Sequence, residues 1–193
     1  MRRRTKAIYA SGSLRRRATA ALLGVALLFA GCTKITITAQ PAPPVAAAAT
    51  WVLLPIANYS ATPLAGVRAE SILATVLRVG GVPNLRDYPT WEMAGQLPVL
   101  SEGERYERAL EWANEQGLMI GVTGSVEEWR YKNGIAREPA VAVSVQLVDI
   151  ATAQVLWSAS AARAGSSRGT VSGTAQTLLT DIVAAMNLGT KRD

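Results

Sequence analysis

Beyond residue 50, hydrophobic and polar positions fall into a succession of short patterns. Trp51–Ala57 (WVLLPIA) is a continuous apolar run with the length of a buried strand, and Asn58–Thr62 follows as a loop. Pro63 stands where a helix would begin, and Leu64, Val67, Ile72, Val76 and Val79 recur at helical spacing as far as Gly80–Gly81. A short strand is expected within Asn84–Tyr88, and the two prolines of residues 89–100 predict a loop. Ser101 fits an N-cap, with Glu102 and Glu104 in the first turn of a helix that runs to about Gln116 and stops at Gly117. Three strands follow. In Leu118–Tyr131 the even positions Leu118, Ile120, Val122 and Val126 are apolar, while the odd ones include Gly121, Thr123 and Ser125. Asn133–Gly134 is the strongest short hairpin signal in the chain. Val141, Val143, Val145 and Leu147 alternate with smaller or polar residues, Asp149–Gln154 turns the chain, and Val155–Ala161 pairs back. A last helix is expected from about Ser172 to Asn187, with Leu178, Leu179, Ile182 and Met186 on one face. The order β-α-β-α-β-β-β-α predicts a single α/β domain over residues 51–193, with one mixed sheet in a two-layer or three-layer arrangement.

The first 50 residues follow different rules. Residues 1–17 are basic, and Ala18–Ala30 is an uncharged, mostly apolar run, shorter than the roughly 20 residues a membrane-spanning helix needs. Ala30 and Gly31 then precede Cys32, the only cysteine. This resembles the bacterial lipobox, with Phe29 where Leu is usual, and it implies cleavage of residues 1–31 before an acylated Cys32. Acyl chains contribute about 0.8 kcal/mol per buried methylene, so several of them hold a protein on a membrane. Thr33 replaces the Asp associated with inner-membrane retention, so the resemblance points to the outer membrane. Residues 33–50 (TKITITAQPAPPVAAAAT), with three prolines among alanines, are expected to be a tether. Fully extended, that segment reaches at most ~60 Å, too short to cross the whole periplasm.

Removing residues 1–31 also changes the charge. The full chain carries 20 Lys+Arg, 14 Asp+Glu and a net charge of +6. Seven cations precede residue 18 and no acid precedes Glu70, so 13 cations face 14 anions after cleavage and the net charge is −1. A basic footprint for nucleic acid is therefore lacking. The chain has no His, and one Cys permits no intrachain disulfide, Cys-rich zinc site or Cys–His nucleophile. Lys34, Lys132 and Lys191 fall in the tether, the hairpin and the tail, away from any buried Ser they could deprotonate. No GxxxxGK[ST] or GxGxxG motif is present. Glu127 and Glu128 are neighbours along a strand and should point to opposite faces, which does not suit a paired acid–base site. The expectation is a non-enzyme with no catalytic residue, metal or cofactor.

Three surface features remain. Glu107, Glu111 and Glu115 make an acidic stripe on the second helix, joined by Glu104. Ordinarily this is a solvated face with a Glu104–Arg108 pair; functionally it could guide a cationic ligand. Glu127 and Glu128 lie where the core pattern ends, and form the better candidate for an acidic rim. Among the aromatics, Trp129 and Tyr131 share the odd face with Thr123 and Ser125 and are candidates for exposure or for covering the sheet. Trp157 shares a face with Val155 and Ala159, opposite the Val141–Leu147 stripe, which makes it a core residue; Trp51 and Trp112 also read as core. Gly121, Thr123 and Ser125 form a small-residue face, either a subunit contact or a side covered by a helix.

The lipobox Cys, the Pro/Ala tether, and the segments LLPIANYSATPLAGVRAESILATVLR, GVTGSVEEWRYKNG and VSVQLVDIATAQVLWSASA resemble the PelC family of outer-membrane lipoproteins. The resemblance covers residues 32 to about 188. The hairpin Val148–Ser158 is shared more widely, with curli secretion lipoproteins and LpoB-type activators of penicillin-binding proteins. The resemblance implies a non-enzymatic ring of twelve subunits on the periplasmic face of the outer membrane. Its acidic surface would guide a cationic amino-sugar polysaccharide, Pel, to an outer-membrane porin for biofilm export, and an aromatic belt would seat the ring in the inner leaflet. Carried over, the acidic role falls on Glu127 or Glu128 and the belt role on Trp157 or Trp129; for Trp157 this conflicts with the core reading. The alternative is an LpoB-like activator of a peptidoglycan synthase, which needs a longer tether to reach through the peptidoglycan.

Overall fold

A computed structural model describes residues 35–41, 49–89, 100–134 and 137–188. The expected signal peptide, Cys32, the loop after Pro89, part of the hairpin turn and Gly189 lie outside the described residues. Six strands and three helices are formed among those described: β1 (Ile35–Ala39), β2 (Trp51–Asn58), α1 (Ala65–Val79), β3 (Arg86–Asp87), α2 (Glu102–Glu115), β4 (Ile120–Tyr131), β5 (Pro139–Asp149), β6 (Val155–Ala164) and α3 (Val171–Ala185). They build one mixed sheet in the order β1-β6-β5-β4-β2-β3, in which β2 runs parallel to β3 and β4 and the other pairs are antiparallel. The α/β class and the order of elements from residue 51 match the expectation.

β1 is the departure. The chain expected to be free tether forms an edge strand whose Thr38 pairs with Ser160 of β6, and the Trp157 indole donates to the Gln40 carbonyl at 2.7 Å. Its alternation of β-branched residues, ITIT, is a strand pattern that the prolines after it obscured.

The number of layers differs along the sheet. α1 and α3 pack on one face, where Trp51, Leu73, Leu77, Val143, Leu147, Trp157, Leu178 and Ile182 form the main core. α2 covers only the β2–β4 half of the other face, over a smaller core of Val52, Leu54, Ala109, Ala113 and Val148. The rest of that face carries no helix among the described residues. Helix α2 begins as expected, with a capping box: Ser101 Oγ accepts from the Glu104 amide and the Glu104 carboxylate accepts from the Ser101 amide. Helix α3 buries the expected Leu178, Leu179, Ile182 and Met186. Helix α1 uses its expected stripe only in part: Ile72 and Val76 are half-buried against the main core, while Leu64 stays exposed. It buries Ala65, Gly66, Ala69, Leu73, Ala74 and Leu77, and leaves Val67 in solvent and Val79 86% exposed. Small residues let the helix approach β2 so closely that a Cβ on Gly66 would lie 2.3 Å from the Ile56 carbonyl oxygen.

Two extra residues redirect side chains. In β2, Leu53 pairs with Val122 but Ile56 with Gly124, so a bulge absorbs Pro55, which has no N–H for the ladder. In β4, Val126 pairs with Val143 and Glu128 with Ala142, leaving Glu127 as the extra residue. A third shift, between Leu147 and Val148 of β5, sets Trp157 directly across from Leu147 on the same face and leaves Val155 exposed, whereas alternation had placed Val155 beside Trp157.

Candidate functional site

The uncovered half of the sheet is built from small hydroxyl residues. Ser125 of β4 lies across from Ser144 of β5, Ser144 across from Ser160 of β6, and Ser160 across from Thr38 of β1, so one row of hydroxyl residues crosses four strands. Ser144 and Ser160 share a hydrogen bond of 2.9 Å. Thr123, Gln146 and Ser158 form the adjacent row. The small-residue face of β4 thus has two fates. Gly121 lies under Leu54, Val148 and Ile150 in the α2 layer, Thr123 is buried with its hydroxyl on the Pro55 carbonyl at 2.9 Å, and Ser125 opens to solvent.

The β4 bulge determines where the carboxylates go. Strict alternation would send Glu127 and Glu128 to opposite faces; with Glu127 as the extra residue, Val126 and Trp129 both enter the main core and the two glutamates between them stay out of it. The Glu127 carboxylate lies over the hydroxyl row, accepting from Ser125 Oγ at 2.5 Å and Ser144 Oγ at 3.2 Å. Glu128 is held at 2.6 Å by Arg130, two residues on. No ion pair among the described residues neutralises Glu127.

The acidic stripe of α2 stays apart. Glu107, Glu111 and Glu115 are exposed on the helix, and no hydrogen bond or ion pair among the described residues joins them to Glu127 or Glu128. Glu104 caps the helix instead of pairing with Arg108, and its hydrogen bonds to Ser101 hold its carboxyl below the ordinary value. Between the start of α2 and the open face runs a groove of about 310 Å³, lined by Tyr59, Glu102, Tyr106, Ser125, Ser144 and Gln146.

The aromatic assignments change most. Trp157 is 0% exposed and Trp129 3%, so neither indole faces outward from the chain. For Trp157 this agrees with its periodicity; for Trp129 the bulge shifts the residue from the hydroxyl face to the core. Tyr131, at 40% exposure, is the one of the three that reaches solvent, with the Arg137 guanidinium 5.9 Å from its ring. Trp51 is fully buried, and Trp112 is half-buried with its ring edge-on to Tyr88 at 5.4 Å.

One half-buried acid has no sequence signal. Glu70 of α1 accepts from the Ile56 amide at 2.8 Å and lies 3.8 Å from Arg105 of α2, joining both helices to the bulged edge of β2. Burial raises its carboxyl above the ordinary value, against the opposing effects of the Ile56 hydrogen bond and Arg105. Its position makes it structural. Among the described residues, no group of three or more His, Cys, Asp or Glu could hold a metal ion.

Two solved PelC structures from Paraburkholderia phytofirmans, both dodecamers, are similar to this chain at 35% identity. One match covers 79% of this chain and 97% of that one, with a TM-score of 0.66. The chain belongs to the PelC family. The other, a single-substitution variant, covers 79% of this chain and 98% of its own with a TM-score of 0.68. Lipoprotein GNA1162 from Neisseria meningitidis shares the fold beyond the PelC family: it is 20% identical, with a TM-score of 0.52 over 70% of this chain and 96% of that one. No family model and no curated protein matches the chain.

Proposed function

We infer that this PelC-family chain is a non-enzymatic lipoprotein, acylated at Cys32 and held on the periplasmic face of the outer membrane. There it assembles with copies of itself into a ring and guides a cationic amino-sugar polysaccharide to an outer-membrane porin for biofilm export. Family membership supports the export role, and the dodecameric relatives support self-association. The observation that carries the guiding role is the β4 bulge, which keeps two carboxylates off the core beside an open row of hydroxyls. A sugar polymer with protonated amines is drawn by an unneutralised carboxylate, and hydroxyls exchange hydrogen bonds with its ring oxygens without fixing it in place. Glu127 and Glu128 form the centre of the acidic surface, with Glu107, Glu111 and Glu115 a separate outer contribution. β1 favours this reading over a peptidoglycan-synthase activator, because only residues 33–34 separate the acylated residue from the folded sheet.

The test is the double variant Glu127→Lys with Glu128→Lys, expressed in a strain dependent on this protein. Exported polysaccharide should fall steeply while thermal stability and membrane fractionation stay as in the parent. Normal export by the folded double variant would sink the guiding role.

A further inference from the structure

We propose that the groove between the start of α2 and the open face is a subsite for one pyranose unit of an amino-sugar chain, with the unit's protonated amine on Glu127. This rests on the guiding role above and adds a place where an individual sugar ring is recognised. Three parts of the fold build the groove. β4 and β5 contribute Ser125, Ser144 and Gln146, Tyr106 comes from α2, and Tyr59 from the chain just past β2. Its volume of about 310 Å³ is at the lower end of ligand pockets, which run from about 300 to 1,000 Å³. It therefore suits a single unit rather than a stretch of polymer.

Polar groups in the groove are unspent. Among the described residues no hydrogen bond or ion pair engages the hydroxyls of Tyr59 and Tyr106 or the side-chain amide of Gln146. The Thr123 hydroxyl, by contrast, is taken by the Pro55 carbonyl. A sugar hydroxyl both donates and accepts, and so matches an amide together with two phenols. The tyrosines add ring faces. Tyr59 is 69% exposed, and Tyr106 is half-buried against the smaller core, which holds it in position. The negative face of an aromatic ring attracts the C–H face of a pyranose and a nearby ammonium alike.

Charge decides which sugar. Among the described residues no Lys or Arg lines the groove, and the acid that does, Glu102, is paired with Arg105 at 3.0 Å. Ser125 and Ser144 line it and both donate to the Glu127 carboxylate, which therefore lies at the groove's edge. No ion pair among the described residues engages that carboxylate. A ring seated against the tyrosines thus brings an amine substituent to an unpaired carboxylate, whereas an acidic sugar meets repulsion there.

The test is calorimetric titration of the full chain, purified from bacterial membranes in detergent. One titrant is a short glucosamine oligomer with its amines protonated; the other is a cello-oligomer of the same length, which lacks the amine. The glucosamine oligomer should bind more tightly. Tyr59→Ala with Gln146→Ala should weaken it about tenfold at an unchanged melting temperature, since neither side chain belongs to a core. Tyr106 is left in place because it packs on the smaller core. Glu127→Gln should lower the glucosamine oligomer to the affinity of the cello-oligomer and leave the cello-oligomer unchanged. Equal affinity of the folded double variant and the parent for the glucosamine oligomer overturns the groove as its subsite. Equal affinity of the parent for the two oligomers overturns the contact of the amine with Glu127. A folded parent that binds neither overturns the subsite outright. None of these results decides the guiding role, which export by the Glu127→Lys, Glu128→Lys variant reads separately.

Discussion

Glu127 and Glu128 are adjacent and both keep out of the core, but their charges are not equivalent. Glu128 is paired with Arg130, whereas the partners of Glu127 among the described residues are neutral hydroxyls. Glu127→Gln should therefore reduce polysaccharide export more than Glu128→Gln; equal losses would show that Arg130 does not screen its neighbour. Glu70 makes a different prediction. Burial raises its folded-state pKa, so the folded protein binds its proton more tightly than the unfolded chain. The stability this contributes is present below the unfolded value and is lost as pH rises through the folded one. The melting temperature of the parent relative to Glu70→Gln should thus be more favourable at pH 4 than at pH 7, and a difference independent of pH would contradict it. At this scale the sequence was least legible. An extra residue in a strand changes the face of everything after it, and the alternation around Val126 contains no mark of where the bulge falls. Without it, strict alternation puts Trp129 on the hydroxyl face and sends to opposite faces two carboxylates that both stay out of the core. Glu70 lay in a helix whose buried side was itself misjudged.

At the scale of elements, most boundaries were legible because local chemistry sets them. Ser101 and Gly117 bracket α2, Asn133–Gly134 opens the hairpin turn, and Asp149 fixes the β5–β6 turn by accepting from the Thr152 amide at 2.9 Å and hydroxyl at 2.8 Å. Which face a helix buries depends instead on how closely it approaches the sheet. In α1 the alanine and glycine positions win over the valines because small residues admit the backbone of β2. Ala69→Leu should overpack that contact and lower stability by about 1–3 kcal/mol. Val67→Ala and Val79→Ala should stay within about 0.5 kcal/mol of the parent, as measured by urea unfolding. A large loss on truncating Val79 would mean that its surface is covered in solution. β1 was hard to read because its short ITIT alternation runs into the prolines of the tether, and its pairing with a strand far along the sequence has no local signature. Its contribution is readable through Trp157, buried under it with the indole bonded to Gln40. Trp157→Ala should cost about 3–5 kcal/mol, where a membrane-facing ring would cost little in detergent.

For the molecule as a whole, periodicity and turn chemistry predicted one mixed sheet with helices and the order of its elements after residue 50. They left open whether the sheet carries helices on one face or both. Among the described residues the structure has both arrangements: helices on both faces around β2 and the end of β5, and on one face only over the rest of β5, β6 and β1. That unequal cover leaves the polar face exposed, and its hydroxyl rows are alignments of residues far apart in sequence, visible only once strand registers are known. No described helix is long and apolar enough to cross a membrane. In the proposed function, attachment rests on acylated Cys32 and guiding on an assembly of many copies. Native mass spectrometry of the acylated protein released from detergent tests that claim most directly. A single closed oligomer of many subunits, with acyl mass on every copy, is the predicted result. Acylated protein that remains a monomer at every concentration would contradict it.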